Sequence, residues 1–289
     1  HPDDESFGPG GTLARYATQG VDVHIAIATD GAAGSVAEGY EESRAQLAAI
    51  RAQELDAAVD ILGGTLHRLN YRDSGMSGDP SNEHPKAFIN ADEYEAIGRV
   101  VKLIRETRPQ VVITHDETGG YFHPDHIMCW KIVTPAFHAA ADPHQYPELG
   151  LPPFQPQRLY YTAIPSTWRK FISWMYRLRG KDPTKVGRNQ DIDMTKLGIP
   201  SEKIHAHIDI RKSWEIKRLA SSKHATQGGG TAFGAVLPNW VMKQLLGRER
   251  FIRAYPAVPD GYRERDLFGS FPVNASHPQP EEAKIPHHI

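Results

Sequence analysis

Two short motifs with metal-ligand residues stand far apart in the sequence. HPDD occupies residues 1–4, and HPDH at residues 123–126 has the same form: a possible ligand, a proline, an acid and a second possible ligand. A residue before proline is pushed towards extended backbone, while proline itself suits the first helical position. The first His of each motif is therefore expected to end an extended segment. The fourth residue then lies in the first helical turn, and both can face one cavity.

Ligands of this kind suit a divalent cation. Two imidazoles and one carboxylate with an open position make a catalytic zinc site, which lowers the pKa of a bound water to about 7, and Fe(II) accepts the same ligands. Asp3, the remaining acid of the first motif, is then free to take a proton from the water. His123 with Asp125 is expected to form an oriented imidazolium pair beside the developing oxyanion, and Tyr121 adds a phenolic donor.

The presence of two such motifs, and not of one, favours a functional metal site. A single H-P-D triplet often does no more than start a helix, since an Asp in the first turn interacts favourably with the helix dipole.

Cys129 is the only cysteine in the sequence, which excludes an intramolecular disulfide and a multi-thiolate metal site. A buried core thiol is favoured over a nucleophile at this position.

The first 140 residues alternate between β-type and helical patterns, and these elements must position the motifs. Strands are predicted at Val21–Thr29, Leu66–Tyr71 and Val111–His115, and helices at Gly11–Thr18, Glu41–Leu62 and Asp92–Thr107. This alternation predicts an α/β fold: a Rossmann-like, mostly parallel sheet with helices on both faces. In such sheets the site lies beyond the carboxyl ends of the strands, and HPDH follows one of these strands after a Gly-Gly loop.

The chain changes character after about residue 142. We expect an α/β metal-site domain over 1–142, a C-terminal part over 143–271 that completes and covers the site, and an extended or disordered tail over 272–289. The C-terminal part is expected to add strands at Arg158–Ile164 and His205–Ile210, a helix at Lys212–His224, and a helical insertion. Within that insertion, the basic amphipathic stretch Trp168–Arg179 fits a lid or a partner helix better than a membrane surface.

Composition narrows the choice of partners. The 289 residues include 33 Lys+Arg and 35 Asp+Glu, for a formal charge of -2, with 39 % hydrophobic and 24 % charged residues. Without a basic block, nucleic acid is not an expected partner. No apolar run approaches the roughly 18–20 residues of a membrane span, so a membrane is not expected either. A cytoplasmic location is predicted, while a signal segment ahead of His1 and a homo-oligomer both stay open.

The motifs are shared with a known family. HPDDE at 1–5, RAQEL at 51–55, RDSGM at 72–76, GGYFHPDH at 119–126 and KHATQ at 223–227 make the chain resemble the LmbE-like (PIG-L) zinc-dependent N-acetylglucosamine deacetylases. RDSG together with HATQ looks most similar to the mycothiol-pathway branch, which comprises a glucosaminyl-inositol deacetylase and the mycothiol S-conjugate amidase. The resemblance covers most of residues 1–140 and implies hydrolysis of an amide by metal-activated water.

The resemblance also implies roles for single residues. The implied ligands of Zn²⁺ are His1, Asp4 and His126. The implied general base is Asp3, and the implied helpers at the oxyanion or the leaving amine are His123, Asp125 and Tyr121. The implied or expected substrate contacts are Arg51, Asp73 and His224. In this family HPDD follows a first β-strand, so a strand ahead of His1 is expected in the full-length chain.

Three hypotheses of function follow. The leading one is a zinc amidohydrolase that deacetylates a small amino-sugar substrate, with the amidase reaction on a thiol conjugate as its alternative. A copper site at a mature N-terminal His1 is weaker, because the oxidative polysaccharide enzymes that use one resemble secreted β-sandwiches. A non-catalytic metal- or glycan-binding relative is disfavoured, because the base, the ligands and the oxyanion partners are all present.

Overall fold

Strands and helices alternate along the chain, as the sequence predicts. The computed structural model describes residues 1–186, 190, 192–229 and 238–269, so the predicted tail lies outside the described residues. The strands are β1 (His24–Thr29), β2 (Thr65–Tyr71), β3 (Val111–Thr114), β4 (Arg158–Thr162), β5 (Ala206–Asp209) and β6 (Arg248–Tyr255). The helices are α1 (Asp4–Phe7), α2 (Gly10–Ala17), α3 (Leu47–Leu62), α4 (Glu93–Thr107), α5 (Gly119–Phe122), α6 (Pro124–Ala139), α7 (Ser166–Leu178), α8 (Trp214–Lys223) and α9 (Asn239–Leu246).

The strands form a small and a larger sheet. β1 pairs with β2 in parallel, and the larger sheet has the order β3-β4-β6-β5. β3 and β4 run parallel, whereas β6 runs antiparallel to both β4 and β5. The α/β class is confirmed, but only part of the larger sheet is parallel. The predicted boundary at residue 142 falls between β3 and β4, which are neighbours in one sheet.

The buried apolar residues form two separate clusters. One joins Ile25 and Ile27 of β1 to Leu55 of α3 and Trp214 of α8, and the other packs α4 against α6 with Ile132 fully buried. Full burial of an aliphatic side chain of this size contributes about 1.5–3 kcal/mol. The buried residues Leu55, Ala58, Val59 and Leu62 therefore attach α3 to the core that includes β1.

The second motif lies where a strand gives way to a helix. β3 ends at Thr114, and His123 has extended backbone (φ −66°, ψ 127°) directly before α6, with Pro124 in its first turn. The intervening loop passes very close to α6, because a Cβ on Gly119 would lie 2.7 Å from the Cβ of His126. Gly119 also has φ +60°, so glycine is required there on both counts.

The predicted helical insertion is present as α7. Arg169 on this helix donates a hydrogen bond to the carbonyl oxygen of Thr195 at 3.3 Å, which ties α7 to the segment that follows it. Its outer face carries Trp174 and Leu178, which are 58 % and 66 % exposed. A lid role for this helix stays a prediction.

Among the described residues, no helix has both the length and the apolar character needed to cross a membrane.

Candidate active site

The three predicted metal ligands converge although they come from opposite ends of the first 130 residues. Nδ1 of His1 lies 3.1 Å from Nε2 of His126. Oδ2 of Asp4 lies 3.2 Å from the same His1 nitrogen and 3.0 Å from the same His126 nitrogen. Three donor atoms thus form a nearly equilateral triangle, with one atom from each residue.

The second ring nitrogen of His1 and that of His126 each face an oxygen acceptor. Nε2 of His1 lies 3.2 Å from a carboxylate oxygen of Asp125, and Nδ1 of His126 lies 3.0 Å from the carbonyl oxygen of Gly119. In the neutral tautomer that places the proton on the nitrogen facing Asp125 or Gly119, the opposite nitrogen of each ring presents a lone pair. In that tautomer two imidazole lone pairs and one carboxylate oxygen face a common point.

This triangle has the size that a small divalent cation needs. Tetrahedral zinc with bonds of about 2.0–2.1 Å holds neighbouring ligand atoms roughly 3.3 Å apart, close to the distances between these atoms. Burial acts to lower the pKa of His1, but hydrogen bonds to Asp125, Asp4 and Asp73 raise it well above its ordinary value. The carboxylates around the ring favour a positive charge here, so the residues fit a metal ion.

Asp125 supports a different histidine from the one expected. Its Oδ2 contacts Nε2 of His1 and also accepts a hydrogen bond from the backbone N–H of Ser74 at 2.9 Å. The expected ion pair with His123 is replaced, because α6 turns the Asp125 side chain towards the first motif. A carboxylate behind a ligating imidazole fixes the ring orientation and raises its basicity. Asp125 is thus placed to orient a metal ligand.

This placement predicts a metal-binding defect. Replacement of Asp125 by Ala should weaken metal affinity by about 10–100-fold, the usual effect of losing a partner behind a ligand. Asp125→Asn is the matched control, because its amide oxygen can still accept both hydrogen bonds. Competition with a chromogenic chelator measures the affinity. Equal affinity in Asp125→Ala and the wild type would contradict the assignment.

His123 is neutral, contrary to the imidazolium expected from the sequence. Burial, together with electrostatic interactions with the neighbouring His1 and His126, holds the pKa of His123 far below its ordinary value. Its Nδ1 accepts a hydrogen bond from the backbone N–H of Asp125 at 3.2 Å, as the N-cap of α6. The proton of the neutral ring therefore lies on Nε2, which leaves His123 a neutral hydrogen-bond donor.

Tyr121 stands edge-on to the histidines. Its ring centroid lies 5.0 Å from that of His126 and 5.9 Å from that of His123. Burial raises the pKa of the phenol well above its ordinary value, so the hydroxyl keeps its proton and can donate. Tyr121 and His123 therefore form a pair of neutral donors beside the proposed metal position.

Asp3 is held apart from the ligand triangle. Its Oδ2 accepts a hydrogen bond from Nη2 of Arg51 at 3.1 Å. Burial raises the pKa of the Asp3 carboxyl to about 7, although the Arg51 guanidinium acts in the opposite direction. A carboxyl with this pKa can take a proton and give it back near neutral pH, which is what a general base and acid needs.

The three residues expected to contact the substrate are buried in this structure. Arg51 and Asp73 are each 2 % exposed and His224 is fully buried. Arg51 donates to the carbonyl oxygens of Gly31 and Pro2, and a Cβ on Gly31 would collide with the guanidinium at 2.6 Å.

The other two contacts have protein partners as well. Asp73 lies 3.5 Å from Nε2 of His1 and accepts the backbone N–H of Gly75 at 2.9 Å. His224 contacts Glu5. In this structure Arg51 contacts Asp3, Asp73 contacts His1 and His224 contacts Glu5, and contact with a substrate stays a prediction for all three.

Two residues of the site were missed by the sequence analysis. The ring of His115 stacks on that of His126 with centroids 3.9 Å apart, and burial lowers the pKa of His115 to about 3. Its position at the carboxyl end of the predicted strand Val111–His115 was the signal in the sequence that could have identified it. Glu5 accepts the backbone N–H of Asp3 at 2.9 Å. It directly follows HPDD, but nothing in the sequence shows its distant partner.

Arg51 should set the pH dependence of any reaction that uses Asp3 as a base. An opposite charge nearby lowers a carboxyl pKa by about 1–3 units, so Arg51→Met should raise the pKa of Asp3. Because a base works deprotonated, the acid limb of kcat/KM should move to higher pH by about one unit or more, with the larger loss below neutral pH. Arg51→Lys keeps the charge and should move less. Superimposable pH profiles for Arg51→Met and the wild type would refute this role.

Proteins similar in sequence to this chain are named as deacetylases. The profile of the PIG-L family, described as GlcNAc-PI de-N-acetylase, matches residues 1–137. The 1D-myo-inositol 2-acetamido-2-deoxy-alpha-D-glucopyranoside deacetylase of Geodermatophilus obscurus is 38 % identical over 285 residues, which cover 94 % of this chain and 96 % of the relative. The protein of the same name from Rhodococcus erythropolis is 39 % identical over 300 residues, covering 93 % and 94 %.

Solved structures share the fold at low sequence identity. N,N'-diacetylchitobiose deacetylase from Pyrococcus horikoshii has a TM-score of 0.54 at 21 % identity, covering 85 % of this chain and 71 % of its own. GalB, the 4-carboxy-2-hydroxymuconate hydratase from Pseudomonas putida KT2440, has a TM-score of 0.57 at 18 % identity, covering 90 % and 95 %. Since one is named a deacetylase and the other a hydratase, the fold alone does not select the reaction.

Proposed function

The chain belongs to the PIG-L family, and from that premise we propose that it is a metal-dependent hydrolase that removes the acetyl group from an N-acetylglucosaminyl substrate. The observation that carries this proposal is the triangle formed by His1, Asp4 and His126, with Asp3 beside it. Asp3, the base that we propose, is not part of the triangle, so base and ligands are separate groups. That separation is what metal-assisted hydrolysis of an amide requires.

Zn²⁺ is the ion we propose for this ligand set, and Fe(II) is chemically acceptable to the same donors. A bound Zn²⁺ would supply a water with a pKa lowered to about 7 and would polarise the amide carbonyl. His1 and His126 would each hold it through one ring nitrogen, and Asp4 would hold it through Oδ2. Asp125 and Gly119 hold the two imidazoles in the orientation that binding requires.

Asp3 moves the proton in the proposed reaction. Its carboxylate takes a proton from the attacking water as the water oxygen bonds to the acetyl carbon. The C–N bond then breaks, and the same carboxyl gives the proton to the departing amine, so that the products are acetate and a free amino sugar. A pKa near 7 suits both transfers. The hydrogen bond from Arg51 holds the Asp3 carboxylate in position during both proton transfers.

Tyr121 and His123 assist at the carbonyl oxygen. Both are uncharged hydrogen-bond donors in a buried place, so each stabilises negative charge that develops in the transition state. A neutral imidazole at the N-terminus of α6 avoids placing another full positive charge beside the metal. Loss of one such donor typically costs about 10²–10³ in kcat.

The substrate we propose is the one named for the curated relatives, an N-acetylglucosaminyl inositol. Similarity at 38–39 % identity extends over nearly the whole chain in both relatives, so the C-terminal part is included and not only the metal motifs. Amidase action on a thiol conjugate uses the same bond type and the same residues. It is therefore an alternative substrate class for this site.

A substrate panel tests the proposal. The zinc-loaded protein is incubated with 1D-myo-inositol 2-acetamido-2-deoxy-α-D-glucopyranoside, with other N-acetylglucosaminides and with a mycothiol S-conjugate, and free amine is measured by fluorescent labelling. We expect amine from the inositol glycoside at the highest kcat/KM. Preference for the thiol conjugate would select the amidase reaction. No amine from any substrate would favour a non-catalytic relative.

A further inference from the structure

The backbone of Asp3 is strained. Its φ is 135°, in the left-handed region that few residues other than glycine adopt. Asp3 stands directly before α1, a helix of only four residues, and no side chain caps this helix at Asp3. A residue in a sparsely populated conformation persists only when its surroundings hold it there. The structure must therefore contain groups that keep Asp3 in place.

Two groups do so from opposite sides. Arg51 binds the Asp3 carboxylate, whereas Oε2 of Glu5 accepts the backbone N–H of Asp3 at 2.9 Å. Glu5 contacts the residue two positions before it, so the hydrogen bond spans Asp4, one of the proposed metal ligands. Arg51 restrains the side chain of Asp3 and Glu5 restrains its backbone.

Glu5 is in turn fixed by a residue from the C-terminal part of the chain. Nε2 of His224 donates to Oε1 of Glu5 at 2.7 Å, and the hydroxyl of Ser6 donates to the same oxygen at 2.6 Å. Glu5 is 4 % exposed and His224 is fully buried. The ring of Phe7 covers the imidazole edge-on at a centroid distance of 5.8 Å. A hydrogen bond buried on all sides leaves neither partner an alternative position.

We propose that His224 and Glu5 are a positioning pair that holds Asp3 in the conformation its catalytic role requires. The inference rests on the proposed function, in which Asp3 transfers the proton. Neither residue touches the ligand triangle through its side chain among the described contacts. The pair links the end of α8 to α1, so the C-terminal part of the chain takes part in the chemistry through the base.

A neighbouring contact supplies a matched control. Two residues after His224, Thr226 donates two hydrogen bonds to Glu54 of α3, from its backbone N–H at 2.8 Å and from its hydroxyl at 2.6 Å. This contact docks the same segment without reaching Glu5. Thr226→Val removes the two hydrogen bonds of the hydroxyl, one to Glu54 and one from Gln227, and leaves the pair intact. It therefore separates docking of the segment from positioning of Asp3.

The kinetic test compares single and conservative variants of the zinc-loaded protein. His224→Leu and Glu5→Leu should lower kcat by about 100-fold, the scale of a 1 Å misplacement of a catalytic group, with KM and bound zinc unchanged. His224→Gln keeps a donor towards Glu5 and should stay within a few-fold of the wild type, as should Thr226→Val. In the double variant Glu5→Leu/His224→Leu both polar side chains are absent, so neither is left buried without its partner, and the protein should fold. Its kcat should fall as far as in the single variants.

A second readout does not depend on turnover. In protein labelled with ¹⁵N-aspartate, the Asp3 amide should exchange with solvent at least ten times faster in the double variant than in the wild type or Thr226→Val. If the wild type releases no amine, the proposed function fails, yet this exchange rate still reports whether the pair holds Asp3. Wild-type kcat in the double variant, an unchanged exchange rate, or a loss of kcat fully explained by lost zinc would each overturn the proposal.

Discussion

Replacement of Asp3 by Asn should lower kcat by about 10²–10⁴-fold, the range that general base catalysis contributes, without loss of the bound metal. The carboxylate of Asp3 contacts Arg51 and is not among the atoms of the ligand triangle. The Asn side chain can still accept the hydrogen bond from Arg51 through its amide oxygen, so the site should keep its shape. Only the ability to take a proton is lost. Steady-state kinetics and metal analysis on the same sample measure both quantities.

Asp30→Asn is the matched control for this variant. Asp30 follows β1 directly, and its Oδ1 accepts the backbone N–H groups of Ala32 and Asp73, a task that an amide oxygen can also perform. Its kcat should stay within a few-fold of the wild type. An Asp3→Asn protein with wild-type turnover would contradict the role of Asp3. Loss of metal from that protein would instead make Asp3 a ligand.

Removal of the metal should have an effect of similar size. His126→Ala deletes one corner of the ligand triangle and leaves His1 and Asp4 as its two remaining corners. We expect stoichiometric zinc to be lost and kcat/KM to fall by about 10³-fold or more, because a metal ion supplies several kcal/mol of transition-state stabilisation and each 1.36 kcal/mol is a factor of ten. Chelation of the wild-type protein should abolish activity, and added Zn²⁺ should restore it.

His138→Ala controls for the loss of a histidine from the same helix. His138 lies in the last turn of α6 and is exposed, far along the helix from His126. This variant should bind zinc and turn over as the wild type does. Full activity of the chelated wild-type protein, or of His126→Ala without zinc, would contradict metal dependence.

Much of the site could be predicted because its signals are local. Proline after His and an acid at the next position determine how each motif enters a helix, and the structure places His123 at the N-cap of α6 as expected. The alternation of elements before residue 115 then indicates that the second motif lies at the end of a strand. The convergence of His1, Asp4 and His126 follows from these two local rules and from the topology of α/β sheets.

The support of these groups could not be predicted, because it depends on contacts between distant segments. The sequence does not show that Asp125 lies behind His1 and not beside His123, since neighbours in a motif can point in different directions. His224 reaches Glu5 from the far end of the chain. Burial, which makes His123 neutral and encloses Arg51 and Asp73, is a property of the packed structure. The sequence analysis did not predict the strand β6, because the arginines in RERFIRAY interrupt the alternation of apolar and polar residues that identifies a half-buried strand.

The reaction is the central claim, since a similar fold occurs in a protein named a hydratase as well as in deacetylases. The most direct measurement is mass spectrometry of the products formed from the N-acetylglucosaminyl inositol in H₂¹⁸O. The account predicts one acetate per free amine, with one ¹⁸O in the acetate, none in the sugar, and no product without metal or from Asp3→Asn. Label in the glycoside, acetyl transfer without ¹⁸O, or an unchanged substrate would contradict it.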